Sequence, residues 1–213
     1  MNFRPPPNSL QPTMKGDRTS GRWLRLVAVL LPLLGRVVGM SAQAPGVPPL
    51  PFEDEGACPF EGCVYREWTA RAPVRVRASR RPDAPVVFRL RAGERVTAVT
   101  GIVVTVRAGR VQFDTPQRLM TSAGAIEVMP GQTLYLLTYQ GEGFTKAWFN
   151  GRVYQGVDSS SFLNGACDRG PNRCSGRVVE PSRTEWWVQV RNRAGQVGWT
   201  REPGQFDGKD ALG

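Results

Sequence analysis

The residues able to do chemistry in this chain are few. Histidine is absent from all 213 residues, which removes Ser-His and Cys-His nucleophile pairs together with the commonest metal ligand. A Ser-Lys nucleophile needs a lysine. Beyond residue 44 only Lys146 and Lys209 occur, neither in a Ser-x-x-Lys spacing. Paired carboxylates are the remaining route, the chemistry of glycoside hydrolysis. Glu53, Asp54 and Glu55 are clustered, but they end a Pro-rich stretch and are expected to be solvated there. Glu127 and Glu142 pair only if the fold happens to join them. Gly141-Glu142-Gly143 lies between strand-like runs with no helix following, so it reads as a turn and not as a phosphate loop. The inventory favours a noncatalytic protein without cofactor or metal. A small carboxylate-dependent hydrolase stays open as the enzyme reading.

The four cysteines form two close pairs, Cys58 with Cys63 and Cys167 with Cys174. Zinc favours Cys-x-x-Cys spacing and histidine help, so disulfides are the better reading in an oxidising compartment. Four cysteines allow three connectivities, and the local pairs Cys58–Cys63 and Cys167–Cys174 are preferred.

For binding, Arg75, Arg77, Arg89 and Arg91 fall on one alternation phase of neighbouring strand-like runs, which would make a basic face for an anionic partner. Half-buried strands need a polar outer face in any case, which accounts for the same arginines without a ligand. Trp148, Tyr154, Trp186 and Trp199 are spaced either to line a groove for peptide or glycan or to fill a core. Trp186 and Trp187 are adjacent and must face opposite sides of a regular strand, so one of them needs cover from an insertion, a partner or a ligand.

The elements that would position these residues are strands. With 24 Gly and 18 Pro punctuating runs of valine and threonine, the chain has the all-β pattern of short strands and frequent turns. Val74–Arg77, Val86–Arg91, Arg95–Thr100 and Ile102–Arg107 read as strands, as do Thr133–Thr138 and Phe144–Phe149. Asn150-Gly151 is the strongest hairpin signal, with Arg152-Val153-Tyr154 returning. Trp186–Thr200 reads as a closing hairpin around Asn192 to Gly195. Met129–Thr138 repeats the pattern of Arg91–Thr100 in its Gly, its acid or amide and its final Thr.

Of the formal net charge of +10, residues 1–44 hold Arg4, Lys15, Arg18, Arg22, Arg25 and Arg36 against Asp17. Basic residues up to Arg25, the apolar run Leu26–Gly35 and the small residues Ser41–Ala44 are the three parts of a secretory signal peptide. The apolar run is about half of the ~20 residues a membrane span needs. Cleavage after Ser41, Ala42 or Ala44 fits, and Met14 is an alternative start. No cysteine follows the run to take a lipid, and no Arg-Arg pair suggests the twin-arginine route. The expected location is periplasmic or extracellular, with no membrane anchor after cleavage and no nucleic-acid partner.

Val74-Arg75-Val76-Arg77, Pro82, Val87–Gly93 and Val96 resemble the opening of the bacterial SH3-like (SH3b) domain family. Trp186–Thr200, with its W-x-x-V, Gly turn and Gly-Trp, resembles that family's last strands. Arg75 stands where the family often has Asn, and no Trp occurs between Trp68 and Trp148 to close a first copy. The resemblance implies an all-β fold of one or two small SH3-like barrels. The expected organisation is a signal peptide at 1–44, a linker with the first cysteine pair at 45–66 and a first barrel at 67–120. A second barrel follows at 121–213, with a cysteine-bearing insertion at 158–184. One elaborated barrel, opened at Val74 and closed at Trp199, is the rival arrangement. The resemblance further implies a binding or scaffolding module whose partner is a cell-wall polymer or an envelope protein. An enzyme accessory subunit is the other alternative.

Overall fold

The computed structural model describes residues 46–163 and 176–212. The expected signal segment 1–44 and the Cys167/Cys174 pair lie outside the described residues. In chain order the first strands are β1 (Phe52–Glu55), β2 (Glu67–Ala70), β3 (Val74–Arg77), β4 (Val86–Leu90) and β5 (Arg95–Arg107). Next come β6 (Gly109–Phe113), β7 (Gln117–Thr121), β8 (Gly124–Val128), β9 (Thr133–Gly141), β10 (Phe144–Phe149) and β11 (Arg152–Asp158). After the helical turn α1 (Ser160–Leu163) follow β12 (Gly176–Glu180), β13 (Arg183–Arg191), β14 (Val197–Thr200) and β15 (Phe206–Asp207). The protein is all-β, as its punctuation and alternation predict.

The largest sheet has the order β15-β2-β5-β13-β14-β3-β4, with β1 added along the far half of β5. Alternation decides what it buries: Val74 and Val76 point inward while Arg75 is exposed between them. Trp68, Ala70, Leu90, Val96, Ala98, Val188, Val190 and Phe206 join them in one core. Residues from six strands meet there, so the sheet must curl on itself. Trp68 and Phe206 are fully buried with ring centroids 5.5 Å apart, and each such side chain stabilises the fold by about 1.5–3 kcal/mol.

A second sheet, β11-β10-β9-β6-β12, and the β7–β8 hairpin bury a separate core that includes Val111, Phe113, Leu119, Leu134, Phe149 and Phe162. Asn150 (φ 46°) and Gly151 (φ 83°) form its tightest turn, with Phe149 opposite Arg152. Both residues adopt the left-handed conformation that the Asn-Gly pair tolerates best.

The cores divide the chain differently from the spans 67–120 and 121–213. The first core unites residues 68–98 with 188–206, and the second takes residues from both sides of position 120. The physical reason is β5, a strand of 13 residues that starts in the first core, runs on beyond it and pairs with β13 over most of its length, Thr97↔Arg191 through Arg107↔Arg183. The internal repeat is turn chemistry. Glu94 Oε2 accepts from the Arg91 N–H at 2.9 Å, and Gln132 Oε1 accepts from the Met129 N–H at 2.8 Å. Gly93 and Gly131 have φ of 83° and 84°. Two like turns lead into strands of different sheets.

The expected linker 45–66 also holds structure. Strand β1 pairs antiparallel with β5, Phe52↔Thr105 to Glu55↔Ile102. Asp54 is buried there, because Lys146 of β10 reaches its carboxylate at 2.5 Å. An acidic run was expected to stay solvated; alternation buries its middle residue where a cation waits. Cys58 and Cys63 are disulfide-bonded, with Cα atoms 5.8 Å apart.

Candidate functional site

Two hollows carry the polar groups of interest. The larger, about 670 Å³, lies between the disulfide loop, the end of β1 and the β9–β10 turn. Gly141, Glu142 and Gly143 all have positive φ, 90°, 51° and 81°. This backbone aims the Glu142 N–H at Glu61 Oε1, 2.6 Å away, and the same oxygen accepts from the Tyr139 hydroxyl at 2.7 Å. The turn therefore does hold an anion, and that anion is a carboxylate of the chain itself. Its acceptance of the Tyr139 proton raises the phenol above its ordinary range. Asp54, Glu55, Gln140 and Lys146 also line this hollow, and Phe144 is exposed in the same lining.

The smaller hollow, about 400 Å³, sits where β4, the turn before β5 and the turn between β13 and β14 meet. Arg89, Arg95 and Arg193 surround it, all exposed. Among the described residues none of the three forms an ion pair. Gly195 (φ 78°) shapes the second turn, where the Asn192 and Gln196 amides bond to each other at 2.8 Å.

Of the arginines singled out by alternation, Arg75 and Arg77 stay together in a third hollow lined also by Trp187 and Arg201, while Arg89 lines the hollow just described. Arg75 lies directly opposite Arg89 across β3 and β4, but its Nε is 3.5 Å from Glu202. Arg77 is half-buried and donates to the Ala84 carbonyl at 2.8 Å. The backbone N–H of Arg91 is held by Glu94. Of the four, Arg89 alone lines the smaller hollow, beside two arginines that alternation did not select. Arg95 and Arg193 each sit within two residues of a turn glycine, Gly93 and Gly195. That proximity is informative only once both turns are known to belong to one sheet.

Trp186 and Trp187 face opposite sides, and both are covered from within the chain. Trp186 packs on Trp68 at 5.8 Å and beneath Phe60 at 5.8 Å, and it donates from Nε1 to the Tyr65 hydroxyl at 3.1 Å. Burial pushes the Tyr65 phenol up, and the bond from Trp186 opposes that shift. Trp187 is buried with Ile102 and Val104, and the Arg201 guanidinium lies 5.7 Å above its ring. Trp199 packs on the same cluster with Arg80 5.6 Å from its ring centroid. Trp148 lies between Tyr135 and Val153 of its neighbouring strands, with a buried indole nitrogen that has no hydrogen-bond partner among the described residues. These rings do not converge on one groove.

Of the carboxylates weighed for hydrolysis, Asp54, Glu55 and Glu142 meet in the larger hollow, while Glu53 and Glu127 lie outside it. Glu53 pairs with Arg80 at 2.9 Å. Lys209 donates to the Phe206 carbonyl at 2.7 Å. Among the described residues no group of three Cys, Asp or Glu side chains is gathered to hold a metal ion, and no helix is long and apolar enough to cross a membrane. Comparison of the chain with protein-family models, with characterised proteins and with solved structures finds no match to any of them.

Proposed function

We propose that this chain is an exported, noncatalytic binding or scaffolding module of the bacterial envelope, built on one SH3-like barrel into which the second sheet is inserted. The supporting observation is the shared core. Val74, Val76, Leu90 and Val96, from the stretch that resembles the opening of the SH3-like family, pack with Val188 and Val190 from the stretch that resembles its close. The insertion enters after β5 leaves that core and returns along β13. The disulfide suits an oxidising compartment.

The carboxylate-hydrolase alternative needs one free acid and one free base across a cleft. In the larger hollow Asp54 is bound to Lys146, and Glu61 is bound to Tyr139 and the Glu142 N–H. Two of the four acids in its lining are thus committed to the chain itself, which supports binding over hydrolysis. The ligand class is a cell-wall polymer or an envelope protein. Incubating the purified protein with peptidoglycan separates the readings: co-sedimentation without soluble fragments supports the module, and release of soluble fragments overturns it.

A further inference from the structure

We propose that the hollow bounded by Arg89, Arg95 and Arg193 binds an extended acidic peptide along the edge of β4, an inference that rests on the binding role proposed above. Three guanidinium groups surround the hollow, and its single acid, Glu94, is already bonded to the Arg91 N–H. The nearby amides of Asn192 and Gln196 satisfy each other. The charge left for a ligand is positive, and the planar fork of arginine matches a carboxylate through two parallel hydrogen bonds.

Carboxylates and phosphates both suit such forks, and the backbone of β4 decides between the polymers that carry them. Among the described residues β4 pairs with β3 alone, so its other edge presents unpaired N–H and C=O groups. An edge of this kind adds a peptide strand, whose main chain supplies affinity and whose alternate side chains supply specificity. Phe88, half-buried in the same lining, provides apolar contact beside the charges. Strand β4 has five residues, which sets the length of the paired segment.

The test is fluorescence anisotropy of a labelled, alternating Glu-Val peptide, with an alternating Lys-Val peptide and inorganic polyphosphate as comparators, at about 20 mM and about 200 mM salt. The triple variant Arg89→Ala/Arg95→Ala/Arg193→Ala should bind the Glu-Val peptide roughly tenfold more weakly. The variant Arg118→Ala/Arg152→Ala removes two exposed arginines of the second sheet and its hairpin and should bind as the parent does. Binding that also falls with salt completes the expected result. Absence of binding at low salt, equal loss in both variants, or displacement of the peptide by polyphosphate at lower concentration each overturns the assignment. Circular dichroism establishes that the triple variant is folded. A protein that sediments with peptidoglycan yet ignores the peptide loses this assignment and keeps its binding role; one that digests peptidoglycan loses the role itself.

Discussion

The two hollows handle charge in opposite ways. In the cleft beside the disulfide loop, Lys146 neutralises Asp54, and the Tyr139 hydroxyl and Glu142 N–H hold Glu61. In the hollow beside β4, Arg89, Arg95 and Arg193 have no acid to hold them among the described residues. Charge density alone would rank the cleft first, with four acids in its lining. Two of those acids, Asp54 and Glu61, are already satisfied within the chain, and that lowers the cleft's rank. A charge already bonded positions the chain, and a charge left unbonded is free to meet something else.

The largest effect that tests this contrast is expected at Lys146. Its side chain is 18% exposed and that of Asp54 7%, so Lys146→Met strands a buried carboxylate and should cost about 3–5 kcal/mol in urea unfolding. The double variant Lys146→Met/Asp54→Asn should recover part of that loss; no recovery would mean that packing of the lysine stem dominates. Next in size, Cys58→Ser/Cys63→Ser opens a short loop and should cost about 2 kcal/mol, read as a lower denaturation midpoint. Tyr139→Phe removes the hydroxyl bonded to Glu61 and should cost roughly 1 kcal/mol, reduced by solvent.

The same bond has a pH signature. The folded phenol of Tyr139 titrates above its unfolded value because its proton is held by Glu61. The stability it contributes is therefore complete below about pH 10 and is lost as pH rises through the folded pKa. Ultraviolet titration of a Tyr65→Phe background should show this late tyrosinate, and Glu61→Gln should return it toward the ordinary range. At the small end, Arg89→Ala/Arg193→Ala should leave stability within about 0.5 kcal/mol. A larger loss would mean that these arginines serve the fold, and the contrast would fail.

Local features were readable in the sequence because local chemistry specifies them. The Asn150-Gly151 turn follows from left-handed backbone preferences, and the opposite faces of Trp186 and Trp187 follow from the two-residue period of a strand. What covers each Trp was not readable. Phe60 and Tyr65 reach Trp186 from more than 120 residues away, and Ile102 and Val104 reach Trp187 from more than 80. The likeness of Met129–Thr138 to Arg91–Thr100 reports a shared turn, and a turn does not reveal which sheet its strand will join. Arg95 and Arg193 were missed for the same reason. Burial of Asp54 was hidden because its cation, Lys146, lies 92 positions further along.

The pairing of β5 with β13 bears on the order in which the molecule can be made. The first core requires both Val96 and Val190, and Phe206 besides, so it is incomplete until residue 206 has been synthesised. The second sheet ends at Glu180 and can form before those last residues emerge. Once it has formed, its Arg110↔Glu180 pair brings Arg107 close to Arg183, where β5 and β13 begin to pair, and shortens the segment whose ends must meet, lowering the entropy lost on closing the first sheet. The insertion would then act as an internal template, turning a slow, long-range closure into the zipping of a hairpin.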